Sequence, residues 1–263
     1  MSRFEGKSAF ITGGGTGIGL ACARAIVEGG GKVTICGRRE EVVRAAAEEL
    51  GGGTQWVRCD VTDDQSVSDA VAAAIELNGP LQLAVNSAGL GSGGSVLAMT
   101  PDDFAQTLDT NLVGVFRTLR AEARAIKKAG GGSIVNISSI AGALTHRWMS
   151  AYCASKAGVN MLTQVAADEL GEYGIRVNAV MPGVVDTELA SLLTTTDAAR
   201  EEYLRLMPIS RLGKPDDVGQ IVAFLLSDES SWVTGQCIGV DGGHTIRKGP
   251  DLVPVFREFL PEE

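Results

Sequence analysis

The chain has 263 residues, 44% of them hydrophobic and 21% charged, and a net charge of −9. This balance suits a single α/β domain with a large core, and the negative field disfavours nucleic acid as a partner. Five cysteines without Cys-x-x-Cys spacing and only two histidines, His146 and His244, argue against a disulfide framework or a metal centre and for reduced core thiols. No apolar run reaches the ~20 residues that span a bilayer. The opening residues lack the apolar stretch of a secretion signal, so a cytoplasmic protein without membrane contact is expected.

Apolar, β-prone runs predict strands over 8–12, 32–36, 55–59, 81–86, 133–138, 176–181 and 236–240. Most are continuous rather than alternating, as in strands buried on both faces of a parallel sheet. Helical patterns fill the gaps. Ile18, Cys22, Ala25 and Ile26 share one helical face, and Val67, Val71, Ala74 and Ile75 share another behind a capping box, Thr62-x-x-Gln65. Thr100-Pro101 opens a helix running to Lys128, where glycines 130–132 stop it, and another spans 150–173. Strand–helix alternation throughout predicts one α/β domain over 1–248. Its fold is a doubly wound, mostly parallel seven-stranded sheet with helices on both faces, the Rossmann arrangement. The tail, 249–263, has apolar residues such as Phe256 and Phe259 but no strand partner; it is expected to pack at a subunit interface.

The turn after the first strand reads Thr12-Gly13-Gly14-Gly15-Thr16-Gly17-Ile18-Gly19. Glycines let backbone approach a pyrophosphate, and the helix start behind them offers free N–H groups. The spacing is Gly-x-x-x-Gly-x-Gly, and here it resembles the nucleotide-binding motif of the classical short-chain dehydrogenases/reductases. Further landmarks follow in order: Asp60-Val61, Asn86-Ser87-Ala88-Gly89, Asn111, Ser138-Ser139, Tyr152-x-x-x-Lys156, Pro182-Gly183 and Asp241-Gly242-Gly243. The similarity extends to 3-oxoacyl-acyl-carrier-protein reductases and covers roughly Gly6 to Gly243. Ser87 departs from the family's usual asparagine.

The resemblance implies an NAD(P)-dependent oxidoreductase moving a hydride between nicotinamide and a carbonyl or secondary alcohol. A regulatory dinucleotide-binding protein without turnover is the alternative. The implied cofactor contacts are Gly13, Gly15, Thr16, Gly17, Ile18, Gly19, Asp60, Val61, Asn86, Ala88, Gly89, Tyr152, Lys156, Pro182, Gly183, Val185 and Thr187. An acid at the end of the second strand would favour NAD; here Gly37 is followed by Arg38 and Arg39, whose guanidinium groups can fork onto a 2′-phosphate. NADP is therefore expected, with NAD as the alternative. Both arginines could instead be surface charges paired with Glu40 or Glu41, and Thr16 stands where many NADP-using relatives carry a basic residue.

Tyr152 and Lys156 are four apart in an expected helix and share a face. A free phenol has a pKa near about 10, and a neighbouring ammonium favours its ionised form. By resemblance Tyr152 is the general acid/base, Lys156 supports it and holds the nicotinamide ribose, Ser139 donates to the substrate oxygen, and Asn111 holds a water near Lys156. Ser138 competes with Ser139; the spacing of Ser139 to Tyr152 matches the family. Residues 187–211, with Leu189, Leu192, Leu193, Leu204 and Met207, are expected to form an apolar lid, and Leu90, Leu144, His146 and Trp148 to flank the pocket. The expected partners are a small-molecule carbonyl or alcohol and further copies in a homotetramer, packed through helices 102–128 and 150–173.

Overall fold

A computed structural model describes residues 2–247; the expected interface tail, 249–263, lies outside the described residues. The strands are β1 (Ser8–Thr12), β2 (Lys32–Gly37), β3 (Gln55–Arg58), β4 (Leu83–Asn86), β5 (Gly132–Ile137), β6 (Ile175–Pro182) and β7 (Cys237–Val240). All neighbours pair in parallel in the order β3-β2-β1-β4-β5-β6-β7. β1 and β4 lie side by side although the chain visits β2 and β3 between them. That reversal of winding opens a crevice at the carboxyl ends of the central strands.

The helices are α1 (Gly17–Glu28), α2 (Glu40–Leu50), α3 (Asp64–Asn78), α4 (Pro101–Leu108), α5 (Gly114–Lys128), α6 (Ser150–Leu170), α7 (Ser191–Thr195), α8 (Asp197–Leu206) and α9 (Pro215–Leu226). They sandwich the sheet because β1 and β4 are buried at every residue and need apolar cover on both faces. One core joins Ile11, Ile35 and Val85 to Cys22 and Ile26 of α1 and Val218, Val222 and Leu225 of α9. The other joins Phe10, Ala84 and Ile134 to Val67 and Val71 of α3, Leu119 and Ile126 of α5 and Ala166 of α6. Each fully buried Val, Leu, Ile or Phe among them contributes about 1.5–3 kcal/mol of burial. Gly219 lets α9 lie close on α1: a Cβ there would sit 2.9 Å from the Ala21 carbonyl oxygen.

Four local expectations are corrected. The cap of α3 is Asp63, whose carboxylate accepts from the N–H groups of Gln65 and Ser66, rather than a Thr62–Gln65 box; Thr62 instead donates to Asp60. The helix expected from 102 to 128 is interrupted by a π turn, Asp109–Val113, whose Asn111 side chain is wholly buried. α6 ends at Leu170 and passes through a 3₁₀ turn to Gly174, whose φ of 69° only glycine adopts freely. β4 begins at Leu83 rather than at 81.

Candidate active site

The carboxyl ends of β1, β4, β5 and β6 open into one cleft of about 900 Å³, with Arg38 and Asp60 at one end and Tyr152 and Tyr203 toward the other. Gly13 and Gly17 adopt φ of 64° and 53°, and a Cβ on Gly13 would come within 2.9 Å of the Ala88 backbone. Thr16 caps α1 without using its side chain. The first-turn N–H groups thus stay available to an anion, where the helix dipole is positive. A glycine cradle, a helix start and an elongated cleft together fit a dinucleotide.

Gly13, Gly15, Thr16, Gly17, Ile18, Arg38, Arg39, Asp60, Val61, Ala88, Gly89, Ser139, Tyr152, Lys156, Pro182, Gly183, Val185 and Thr187 all line this cleft. Gly19, Asn86 and Asn111 stand behind its wall. Gly19 is needed for closure of the turn, since a Cβ there would lie 2.2 Å from the Gly13 carbonyl oxygen. Asn86 was expected to touch cofactor, but its fully buried side chain donates to Glu122 Oε2 at 2.9 Å and to Asn136 Oδ1 at 3.0 Å. Thr12, not foreseen as part of the site, joins the two cofactor-side loops: its Oγ1 accepts from the N–H of Ser87 at 3.1 Å and of Ala88 at 3.2 Å.

At the far end, β2 finishes at Gly37 without a carboxylate. Arg39 pairs with Glu188 at 3.2 Å, not with Glu40 or Glu41. Burial works against the charge of Asp60, but hydrogen bonds from Thr62 and the fields of Arg38 and Arg58 outweigh it and hold the carboxyl below its ordinary value. The buried thiols of Cys36 and Cys59 also reach this part of the cleft, and all five cysteines are free.

Tyr152 and Lys156 occupy the first two turns of α6. The Lys156 ammonium lies 5.7 Å from the Tyr152 ring centre and donates to the Ile137 carbonyl at 2.9 Å. Burial pushes its pKa down to about 8. Burial raises the Tyr152 phenol above its ordinary value, and the Ser139 hydroxyl opposes that rise. The two serines have separate surroundings. Ser138 donates to the Lys156 carbonyl at 3.1 Å and so anchors α6, whereas Ser139 accepts from the Ala141 N–H and faces the phenol. Asn111 grips Leu90, its Oδ1 accepting from the N–H at 2.8 Å and its Nδ2 donating to the carbonyl at 2.9 Å. A Cβ on Gly89 would lie 3.2 Å from Asn111 Oδ1 and 3.9 Å from Lys156 Nζ, so Asn111 and Lys156 approach each other across this glycine.

Beyond Tyr152 the cleft is walled by Leu90, His146, Met149, Leu189, Leu193 and Tyr203. Leu144 and Trp148 are not among its walls; Trp148 is largely exposed, as is Leu192, while Met207 packs inward. Tyr203 lies edge-on to His244 with ring centres 5.8 Å apart, and His146 is 6.3 Å from the same imidazole. Both histidines of the chain thus meet at the substrate end. Nothing in the spacing of Tyr203 announced this, because α8 is brought there by the chain reversal after β6.

A family model described as enoyl-(acyl carrier protein) reductase matches residues 13–245. Cyclohexanol dehydrogenase of an Acinetobacter strain is 38% identical over 248 residues, 93% of this chain and 97% of that protein. The 3-oxoacyl-acyl-carrier-protein reductase of Thermotoga maritima is 37% identical over 247 residues, 93% of this chain and 100% of that protein. Among solved structures, a short-chain dehydrogenase/reductase from Mycobacterium ulcerans superposes with a TM-score of 0.91 at 37% identity, covering 98% of this chain and 96% of that one. An actinorhodin polyketide ketoreductase solved with NADPH gives 0.87 at 34% identity, covering 91% and 97%. Match and geometry agree: the chain belongs to the short-chain dehydrogenase/reductase family.

Proposed function

We propose that this NAD(P)-dependent oxidoreductase of alcohols and carbonyls uses Tyr152 as its general acid/base and takes NADP in preference to NAD. One observation carries the reading: Ser139, Tyr152 and Lys156 share a cleft with the glycine turn. When bound, the nicotinamide ring supplies or accepts the hydride. In reduction the Tyr152 O–H gives its proton to the carbonyl oxygen. Ser139 donates a second hydrogen bond there as negative charge develops. The Lys156 ammonium stabilises the phenolate left behind and holds ribose hydroxyls; oxidation reverses these transfers.

NADP preference rests on Gly37, which leaves a 2′-phosphate unopposed, and on Arg38 beside it. NAD preference is the second reading, favoured by the engagement of Arg39 with Glu188. A homotetramer is supported by exposed Phe104, Val113, Phe116, Met161 and Val165 along the two helical segments expected at the interface. A cytoplasmic location accords with the lack of any described helix long and apolar enough to cross a membrane.

The test is a panel of ketones, acyl thioesters and secondary alcohols assayed with both dinucleotides, for wild type and Tyr152→Phe. Wild-type turnover with loss of at least about a hundredfold in the variant, at unchanged cofactor affinity, is expected. Retained activity in Tyr152→Phe overturns the mechanism.

A further inference from the structure

Glu122 of α5 is fully buried directly behind the cofactor cleft. Among the described residues no cation pairs with it, and the titratable groups that face it from the neighbouring strands are the thiols of Cys36 and Cys59, which bring no positive charge. Its Oε2 accepts from Asn86 Nδ2 at 2.9 Å. Its Oε1 and Asn86 Oδ1 are both buried, and neither has a conventional partner among the described residues. As a carboxylate, Glu122 would leave two unmatched acceptors in the core, a costly arrangement.

A single proton would answer for both: placed on Oε1 it would turn the acid into a donor, able to return to Asn86 Oδ1 the hydrogen bond that Oε2 accepts from Nδ2. The other Nδ2 proton of Asn86 serves Asn136 Oδ1; Asn136 donates to Thr163 Oγ1 at 2.9 Å, and Thr163 to the Val159 carbonyl at 2.8 Å. The network therefore joins α5, β4, β5 and α6 immediately beneath the site. Asn86 is the last residue of β4, and the next three residues, Ser87, Ala88 and Gly89, line the cleft.

We propose that Glu122 is a positioning residue held as a neutral acid, whose reciprocal pair with Asn86 fixes the Ser87, Ala88 and Gly89 wall against which the dinucleotide lies. The proposal rests on the reading of the cleft as the dinucleotide site. Desolvation points the same way, pushing the Glu122 carboxyl up to about 8.

The experiment compares wild type, Glu122→Gln and Glu122→Leu by fluorescence titration with NADPH and NADH and by chemical denaturation across pH 5 to 8. A glutamine amide can both accept from and donate to Asn86, so Glu122→Gln is expected to bind both dinucleotides within about twofold of wild type. Glu122→Leu is expected to weaken both by about tenfold, the equivalent of about 1.4 kcal/mol. The native state keeps a proton that the unfolded chain releases above its ordinary carboxyl pKa. The stability of wild type relative to Glu122→Gln should therefore fall as pH rises from about 5 to about 8. Should the leucine variant not fold, the glutamine affinity and the pH slope still decide. Wild-type affinity in a folded Glu122→Leu, weakening in Glu122→Gln equal to that in leucine, or a flat pH difference overturns the proposal. Wild type binding neither dinucleotide would instead remove the reading of the cleft, and the role of Glu122 with it.

Discussion

The guanidinium of Arg39 meets the carboxylate of Glu188 at 3.2 Å, tying the turn after β2 to the segment after β6. Both side chains are more than half exposed, so the pair adds little stability. Its consequence is for recognition: it occupies one of two arginines that could take a 2′-phosphate. Glu188→Gln is expected to leave thermal stability nearly unchanged and to tighten NADPH binding several-fold without altering NADH. Arg38→Asp should raise the KM for NADPH far more than for NADH. Equal effects on both cofactors in either variant, read from steady-state kinetics and titration, would remove NADP preference.

Lys156 combines burial with charge. Its folded pKa lies below the ordinary lysine value, so between about pH 8 and the ordinary 10.5 the unfolded chain holds a proton that the native state has released. Stability attributable to this group therefore rises with pH through that window, and the full cost of burying an ammonium is felt below about pH 8. Lys156→Met is expected to raise the denaturation midpoint at pH 7 while abolishing turnover, with the stability gain shrinking toward pH 10. Calorimetry across that range checks it; a gain that does not vary with pH would show that desolvated charge is not its source.

Much of this arrangement could be read from the residues themselves. Continuous apolar runs announced seven parallel strands, because burial on both faces leaves no room for alternation, and the glycine turn with Tyr152 and Lys156 marked the edge where the cleft opens. What escaped were relations that local pattern does not encode. Asn86 carries the right residue type at the right place, yet its amide turns inward, because Glu122, 36 positions later, is folded beneath it. Thr62 lost the cap of α3 to Asp63, whose carboxylate reaches two N–H groups while Thr62 serves Asp60. The π turn at Asn111 is likewise set by tertiary contact, since its side chain must reach Leu90 on another segment.

Thr12 holds two N–H groups of the β4 loop with one hydroxyl oxygen. Thr12→Val keeps the shape and removes the acceptor. Leaving buried donors unmatched costs roughly 1–3 kcal/mol each, less where water reaches them from the cleft. The expectation is a loss of about 2 kcal/mol in denaturant unfolding with weaker binding of both dinucleotides, while Thr12→Ser retains both properties. A valine variant with wild-type affinity would show that the loop keeps its place without Thr12.

The aromatic group at the substrate end leads to a prediction about selectivity. Tyr203 and His146 line the cleft near Tyr152, and His244 packs behind them. Burial and the neighbouring His146 hold the His244 imidazole below its ordinary pKa, against the field of Asp241. The surrounding Leu90, Leu189 and Leu193 favour an apolar ring or chain, but the His146 imidazole and the Tyr203 phenol can hydrogen-bond one further polar group of the substrate. Tyr203→Phe and His146→Phe should therefore lower kcat/KM for a cyclic diol by about tenfold while changing the matching cyclic mono-alcohol by less than about twofold, since only the diol loses a partner. Equal losses on both substrates would assign these residues to packing of the cleft rather than to selection. An unchanged diol rate would place the second hydroxyl elsewhere.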